Sequence, residues 1–105
     1  MKEITVEQLR LKVENKEDFQ LIDVREPFER EIASIEGVNI PLAQISMRIN
    51  EIELHKDVVV YCRSGKRSAT AINQIKEHYK NAQLYNLKGG ILEWADKIDS
   101  TITKY

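Results

Sequence analysis

Reactive side chains are concentrated around Cys62, the only cysteine of the 105-residue chain. The segment 58–68 reads VVVYCRSGKRS, so the thiol follows a short run of β-branched and aromatic residues and precedes three cations. The apolar run predicts a buried strand, and the pattern after it predicts a helix that begins at or near Ser68. Cys62 is therefore expected on a loop between a strand's carboxyl end and a helix N-terminus, where ligands bind in open α/β sheets.

The segment after Cys62 is suited to hold an anion on or beside the cysteine sulfur. Its six residues include no proline, so every backbone N–H is available. Gly65 permits the positive φ that curls a loop into a nest of amides, and the helix N-terminus adds about half a unit of positive charge. The residues predicted to bind substrate and to stabilise an anion are Arg63, Ser64, Gly65, Lys66, Arg67 and Ser68.

These surroundings predict that Cys62 is a nucleophilic thiolate. A free cysteine with a pKa near ~8.5 is only about 3% thiolate at pH 7, and a pKa of ~6.5 would raise that fraction to roughly 75%. The difference corresponds to ~2.7 kcal/mol, which a helix terminus and two or three cations can supply. The alternative is a buried and inert cysteine, which the glycine and the three cations disfavour.

Two other short stretches are expected to support this loop. Asp23 and Arg25 follow a strand predicted over 19–24, so in a parallel sheet they lie at the same edge as Cys62. Asp23 is interpreted as a structural brace, whereas Arg25 is either a brace or an additional anion contact. Gly89 and Gly90 precede the last predicted helix, where the backbone must turn or approach another segment closely.

The remaining elements predict one α/β domain over residues 1–105. Strand patterns at Ile4, 19–24, 37–41, 58–61 and 83–87 alternate with helical patterns at 5–15, 42–54, 68–79 and 91–98. Such alternation favours a mainly parallel central sheet of about five strands with helices on both faces.

Composition limits the classes of partner. A net charge of −1, with 42% hydrophobic and 31% charged residues, is typical of a globular domain and favours neither nucleic acid nor membrane as a partner. There is no apolar run of membrane-spanning length and no signal-peptide pattern. A reactive free thiol needs a reducing compartment, so the cytoplasm is the expected location. The two histidines lack ligand spacing, and neither a metal nor a cofactor is predicted.

Three segments resemble the rhodanese (thiosulfate sulfurtransferase) family. They are the cysteine segment 58–68, the segment 21–29 (LIDVREPFE) and the segment 86–94 (NLKGGILEW). The resemblance implies a rhodanese-like three-layer fold, with Gly89 and Gly90 close to the active loop. It also implies transfer of sulfane sulfur from a small anionic donor such as thiosulfate, through a persulfide on Cys62, to cyanide, a thiol or a protein.

A further likeness concerns partners. Residues 31–35 and 94–105 are similar to rhodanese domains fused behind adenylyltransferases that activate ubiquitin-like sulfur carriers. This likeness implies that the sulfur acceptor is such a carrier or its adenylyltransferase.

Two other functions are weighed against sulfur transfer. Cysteine-dependent phosphatases and arsenate reductases resemble C-x5-R in their loops, whereas Cys62 to Arg67 is C-x4-R, and the tighter ring of amides suits one extra sulfur better than a tetrahedral oxyanion. Rhodanese-like domains also serve as non-catalytic binding modules, typically with the cysteine replaced, and here Cys62 is present.

Overall fold

Five parallel strands form the centre of the protein in the computed structural model, which describes residues 1–105. The strands are β1 (Glu3–Ile4), β2 (Phe19–Asp23), β3 (Val38–Asn39), β4 (Asp57–Tyr61) and β5 (Leu84–Leu87). Their order across the sheet is β1-β5-β4-β2-β3, and every neighbouring pair is parallel. The α/β class and the parallel sheet predicted from the sequence are confirmed.

Strand β4 lies in the middle of the sheet and leads directly to Cys62. Its side chains alternate between the two faces: Val58, Val60 and Cys62 belong to one core cluster, whereas Val59 and Tyr61 belong to the other. Both faces of β4 are therefore buried, which explains why its sequence is continuously apolar.

Four helices cover the two faces of the sheet. They are α1 (Val6–Glu14), α2 (Pro27–Ile32), α3 (Lys66–His78) and α4 (Gly90–Lys97). Helices α1 and α4 pack on the face that contains Val59 and Tyr61, and α3 packs on the face that contains Val58 and Val60. None of the helices is long and apolar enough to cross a membrane.

The predicted helix over residues 42–54 is wrong. The segment instead forms two short 3₁₀ turns, Leu42–Gln44 and Ile49–Glu51, and still directs Ile45 and Ile52 into the core. The Gln20 side chain prevents helical pairing at the end of the segment, because its amide donates to the Glu51 carbonyl at 2.9 Å and accepts from the Glu53 N–H at 2.7 Å. Because Ile is β-branched, these core positions also favour a helix only weakly.

Helix α3 begins at Lys66, two residues before the predicted start at Ser68. Gly65 precedes it with φ of 108°, a left-handed conformation that a residue with a Cβ adopts only at a cost. This turn closes the loop after Cys62 earlier than expected and places Lys66, Arg67 and Ser68 in the first turn of the helix.

Candidate active site

The Cys62 sulfur lies at the bottom of a tight loop formed by residues 62–68, here called the cysteine loop. The residue is only 1% exposed. The Gly65 N–H donates to Sγ at an N···S distance of 3.0 Å, and the Ser68 Oγ lies 3.4 Å from Sγ. Gly65 has a positive φ of 108°, and this turn leads the chain from the loop into α3.

Two opposing effects act on the pKa of the Cys62 thiol. Burial disfavours the thiolate and raises the pKa, whereas the backbone N–H groups of Ser68, Gly65 and Ser64 lower it. The lowering prevails, so the pKa lies below the ordinary value of a free thiol. The direction agrees with a nucleophilic role.

The carbonyl groups of the cysteine loop are fixed by the start of α4. The Ile91 N–H donates to the Cys62 carbonyl at 3.0 Å, and the Leu92 N–H donates to the Arg63 carbonyl at 3.2 Å. This approach requires Gly90, because a Cβ there would lie 2.6 Å from the Cys62 carbonyl oxygen. Gly89 and Gly90 both have positive φ, and they bring the backbone of α4 against the cysteine loop.

Arg67 is held by a buried carboxylate of α2. Its Nη1 and Nη2 donate to the two oxygens of Glu29 at 2.6 and 2.8 Å, a bidentate pair. The hydrogen bond with Arg67 lowers the pKa of Glu29 to about 2, although burial alone would raise it. The guanidinium of Arg67 is thus committed to Glu29 and ties the start of α3 to α2.

Asp23 and Arg25 form a second buried pair at the end of β2. Arg25 Nε and Nη2 donate to the Asp23 carboxylate at 2.9 and 2.7 Å, and Nη2 also donates to the Ala33 carbonyl at 2.8 Å. Both side chains are fully buried. Of the two roles considered for Arg25, this geometry favours the brace, since its donors are taken up by protein atoms.

Tyr105 joins these two pairs, and nothing in the sequence indicated it. Its hydroxyl accepts from Arg25 Nη1 and donates to Glu29 Oε1, both at 2.9 Å. Its ring lies 5.2 Å from the Arg63 guanidinium carbon, and Arg63 Nε donates to the Tyr105 main-chain oxygen at 2.5 Å. Two of the three loop cations, Arg63 and Arg67, therefore connect to Tyr105, the second through Glu29.

Lys66 is the loop cation that remains unpaired. Its side chain is exposed and makes no ion pair or hydrogen bond with the rest of the protein. Ser64 is also exposed, at the tip of the loop.

Asn86 is a further residue that the sequence reasoning missed. It lies in β5, is only 5% exposed, and contacts the cysteine loop at two points. Its Nδ2 donates to the Gly65 carbonyl at 3.0 Å, and its Oδ1 accepts from the Ser68 hydroxyl at 2.5 Å. A polar residue within an otherwise buried strand is the signal that was available, because such residues need a specific partner.

An apolar groove lies away from the cysteine loop. It has a volume of about 540 Å³, is lined by residues such as Val13, Phe19 and Trp94, and includes no residue of the loop. A shallower depression of about 380 Å³ borders Arg67 between α3 and the first 3₁₀ turn. Trp94 is half-buried and packs against the cluster that contains Tyr61.

Known proteins resemble this chain in sequence and in fold. YqhL of Bacillus subtilis, an uncharacterized protein, is 46% identical over 80 residues, which cover 75% of this chain and 63% of YqhL. A sulfurtransferase of Allochromatium vinosum is 37% identical over 94 residues, covering 89% of this chain and 87% of that protein. The crystal structure of a rhodanese-related protein from Thermoplasma volcanium superposes with a TM-score of 0.82 at 27% identity, covering 93% and 94% of the two chains.

A longer relative bears on the expected likeness to fused domains. The probable adenylyltransferase/sulfurtransferase MoeZ of Mycobacterium tuberculosis is 33% identical, and the alignment covers 97% of this chain but 26% of MoeZ. The similarity to rhodanese modules associated with adenylyltransferases is thereby confirmed. Residues 5–97 match the rhodanese-like domain family, and the chain therefore belongs to that family.

Proposed function

We propose that this protein is a sulfurtransferase that carries sulfane sulfur as a persulfide on Cys62. The observation that supports this most directly is the position of Sγ, buried at the base of a loop whose Gly65 N–H points at it from 3.0 Å. Backbone amides directed at one point stabilise an anion that forms there during a reaction. The sulfurtransferase among the relatives supports the same reaction class.

The proposed reaction has two steps. In the first, the Cys62 thiolate attacks the outer sulfur of thiosulfate, the S–S bond of the donor breaks, and sulfite leaves with the bonding electron pair. The enzyme then holds a persulfide whose outer sulfur carries one negative charge near the loop amides. In the second step, an acceptor such as cyanide attacks that outer sulfur, thiocyanate leaves, and the thiolate is restored.

The loop cations would take different parts in this reaction. Lys66, exposed and unpaired, is the candidate to attract an anionic donor, whereas Arg67 holds the loop in place through Glu29. Arg63 bonds to Tyr105 through Nε and Nη2, which leaves Nη1 as its remaining donor group. The amides, Lys66 and Nη1 of Arg63 are thus the groups available to attract the donor.

The geometry of Arg67 also bears on the phosphatase alternative. A cysteine phosphatase would need its loop arginine to bind two oxygens of the phosphoryl group in a bidentate manner. Here both terminal nitrogens of Arg67 are bonded to Glu29 at 2.6 and 2.8 Å. This commitment favours sulfur transfer over phosphate ester hydrolysis.

The proposed physiological acceptor is a protein whose flexible, reactive end can reach the loop. Since Cys62 is 1% exposed, an acceptor must approach the outer sulfur of the persulfide through the loop opening, which an extended chain terminus can do. A ubiquitin-like sulfur carrier activated by an adenylyltransferase has such an end. The relative MoeZ is named as both a probable adenylyltransferase and a sulfurtransferase. A reducing compartment such as the cytoplasm would keep the free thiol usable.

Intact mass spectrometry tests the central step. The wild-type protein and Cys62→Ser are incubated with thiosulfate, desalted, weighed, and then treated with cyanide. The proposal expects one added sulfur atom on the wild type only, lost again as thiocyanate. An unchanged wild-type mass, together with hydrolysis of an aryl phosphate that disappears in Cys62→Ser, would favour the phosphatase instead.

A further inference from the structure

The orientation of the Asn86 amide is determined by the backbone of the cysteine loop. The amide group has one end that donates and one that accepts. One end lies 3.0 Å from the Gly65 carbonyl oxygen, which can only accept, so this end is the nitrogen. The oxygen of Asn86 is therefore the atom that lies 2.5 Å from the Ser68 hydroxyl.

This orientation decides where the Ser68 proton points. The Asn86 oxygen can only accept, so Ser68 must donate its single hydroxyl proton to it. Ser68 then turns its lone pairs toward the Cys62 sulfur, 3.4 Å away. A protonated thiol can donate to that oxygen, but a thiolate meets lone pairs instead of a donor.

The two anionic states of Cys62 respond differently to this arrangement. In the thiolate the negative charge resides on Sγ, next to the Ser68 oxygen. In the persulfide Sγ is bonded to a second sulfur, the charge resides on the outer atom, and Sγ needs no donor. The unfavourable contact with Ser68 thus acts on the thiolate and is relieved when sulfur is loaded.

We propose that Asn86 is a positioning residue that withholds the Ser68 proton from Cys62 and so favours the persulfide over the bare thiolate. The persulfide part of this inference rests on the proposed function, whereas the effect on the thiolate does not. The Gly65 N–H at 3.0 Å and its neighbouring amides are then the groups that stabilise the thiolate. The Ser68 hydroxyl destabilises it.

Charged groups on the neighbouring elements remain the same in the test variants. They are Arg63 and Lys66 in the cysteine loop, Arg67 with Glu29 of α2, Asp23 with Arg25 after β2, and Lys88 after β5. A change in the thiol pKa on substitution of Asn86 or Ser68 therefore reports on hydrogen bonding at the sulfur.

The test is the pH dependence of Cys62 alkylation by iodoacetamide in the resting protein. Four proteins are compared: wild type, Asn86→Ala, Ser68→Ala and the double variant. Loss of the Asn86 acceptor frees the Ser68 proton to bond to the thiolate, so Asn86→Ala should lower the thiol pKa when Ser68 is present. This shift should exceed by about 1 unit the shift that Asn86→Ala causes in a protein that already carries Ser68→Ala. Ser68→Ala alone should not raise the pKa.

Two results would overturn the proposal. One is an equal shift for Asn86→Ala in both backgrounds, which would mean that Asn86 acts only by anchoring the Gly65 carbonyl. The other is a rise of about 1 unit in Ser68→Ala, which would mean that the hydroxyl donates to the sulfur in the wild type.

A second measurement does not depend on the folding of the Asn86 variant. The infrared S–H stretch of the protonated wild type should lie at lower wavenumber than that of Ser68→Ala, because the thiol donates to the Ser68 oxygen. An identical stretch in the two proteins contradicts the assigned proton position.

The persulfide part has its own measurement. At a pH above both thiol pKa values, the equilibrium constant for sulfur loading from thiosulfate should fall about tenfold in Asn86→Ala, matching its pKa shift. A shifted pKa with an unchanged loading equilibrium would refute the preference for the persulfide. A wild type that never gains sulfur would instead refute the proposed function and leave the alkylation result standing.

Discussion

Replacement of Glu29 by glutamine tests how much the buried pair with Arg67 stabilises the fold. The Glu29 carboxylate is 5% exposed and accepts from Arg67, from the Tyr105 hydroxyl and from the Glu26 N–H. Its pKa of about 2, against an ordinary 4.5, corresponds to roughly 3 kcal/mol of preference for the charged form in the folded state. Because the Arg67 side chain is 35% exposed, solvent screening reduces this, and we expect about 2 kcal/mol.

The pH dependence has a defined direction. The folded pKa of Glu29 lies below the unfolded one, so the unfolded chain binds more protons as the pH falls. The stabilisation is complete above about pH 5.5 and is lost as the pH falls through 4.5 toward 2. Glu29→Gln should therefore be less stable than the wild type by about 2 kcal/mol at pH 7 and by less than about 1 kcal/mol at pH 3.

Urea unfolding at the two pH values measures this difference. The matched control is Glu51→Gln, which removes the carboxylate that pairs with Arg48 on the surface, and it should change the free energy of unfolding little at either pH because exposed pairs contribute little. A deficit of Glu29→Gln that is the same at pH 7 and pH 3 would refute the electrostatic reasoning. The loss would then come from packing of the neutral amide.

Four other substitutions probe separate contacts of the site. Gly90→Ala should destabilise the fold by more than about 2 kcal/mol in urea unfolding and abolish sulfur loading, since its Cβ would lie 2.6 Å from a loop carbonyl oxygen. Gly89→Ala, whose Cβ would lie 2.6 Å from the Cβ of Glu93 in α4 at a φ of 80°, should also cost more than about 1 kcal/mol. Tyr105→Phe should lower the free energy of unfolding by about 1–2 kcal/mol, because Nη1 of the buried Arg25 then keeps only its longer bond to the Glu29 carbonyl at 3.4 Å. An unchanged urea midpoint would count against a structural role of the hydroxyl. Lys66→Gln should raise KM for thiosulfate several-fold with kcat nearly unchanged, and a fall in kcat alone would contradict its role in attracting the donor.

The sheet and the position of Cys62 were predictable because local patterns determine them. The run before Cys62 is continuously apolar since β4 is buried on both faces, and Gly65 followed by a helical pattern marks a turn into a helix N-terminus. Such signals depend on residues close in sequence. The helix predicted over 42–54 was wrong for the opposite reason. Its apolar spacing suits a helix, but the side chain of Gln20, which is distant in sequence, forms hydrogen bonds with the backbone of this segment.

The partners of the loop arginines were not predictable for the same reason. Glu29 is separated from Arg67 by 38 positions, and Tyr105 is 42 positions from Arg63. Nothing in the local sequence indicates that these cations are already paired, so all three were counted as free to bind an anion. Asn86 was closer to detection, since a polar residue in the apolar strand LYNL needs a buried partner.

The loop cations differ in whether they are paired within the protein, and this difference affects which substrates the site can select. Arginines that bind a tetrahedral anion do so with both terminal nitrogens. In this loop both terminal nitrogens of Arg67 donate to the buried Glu29 carboxylate. The groups that remain are the backbone amides of the loop, whose carbonyls are held by α4, together with the exposed Lys66 and Nη1 of Arg63. Amides at this short range stabilise a charge centred on one atom next to Sγ. The exposed lysine instead attracts the donor through its net charge. Under the proposed function, we expect such a site to distinguish donors by the sulfur atom they transfer more than by the group that leaves, so that a small anion and a protein-bound persulfide would both be donors.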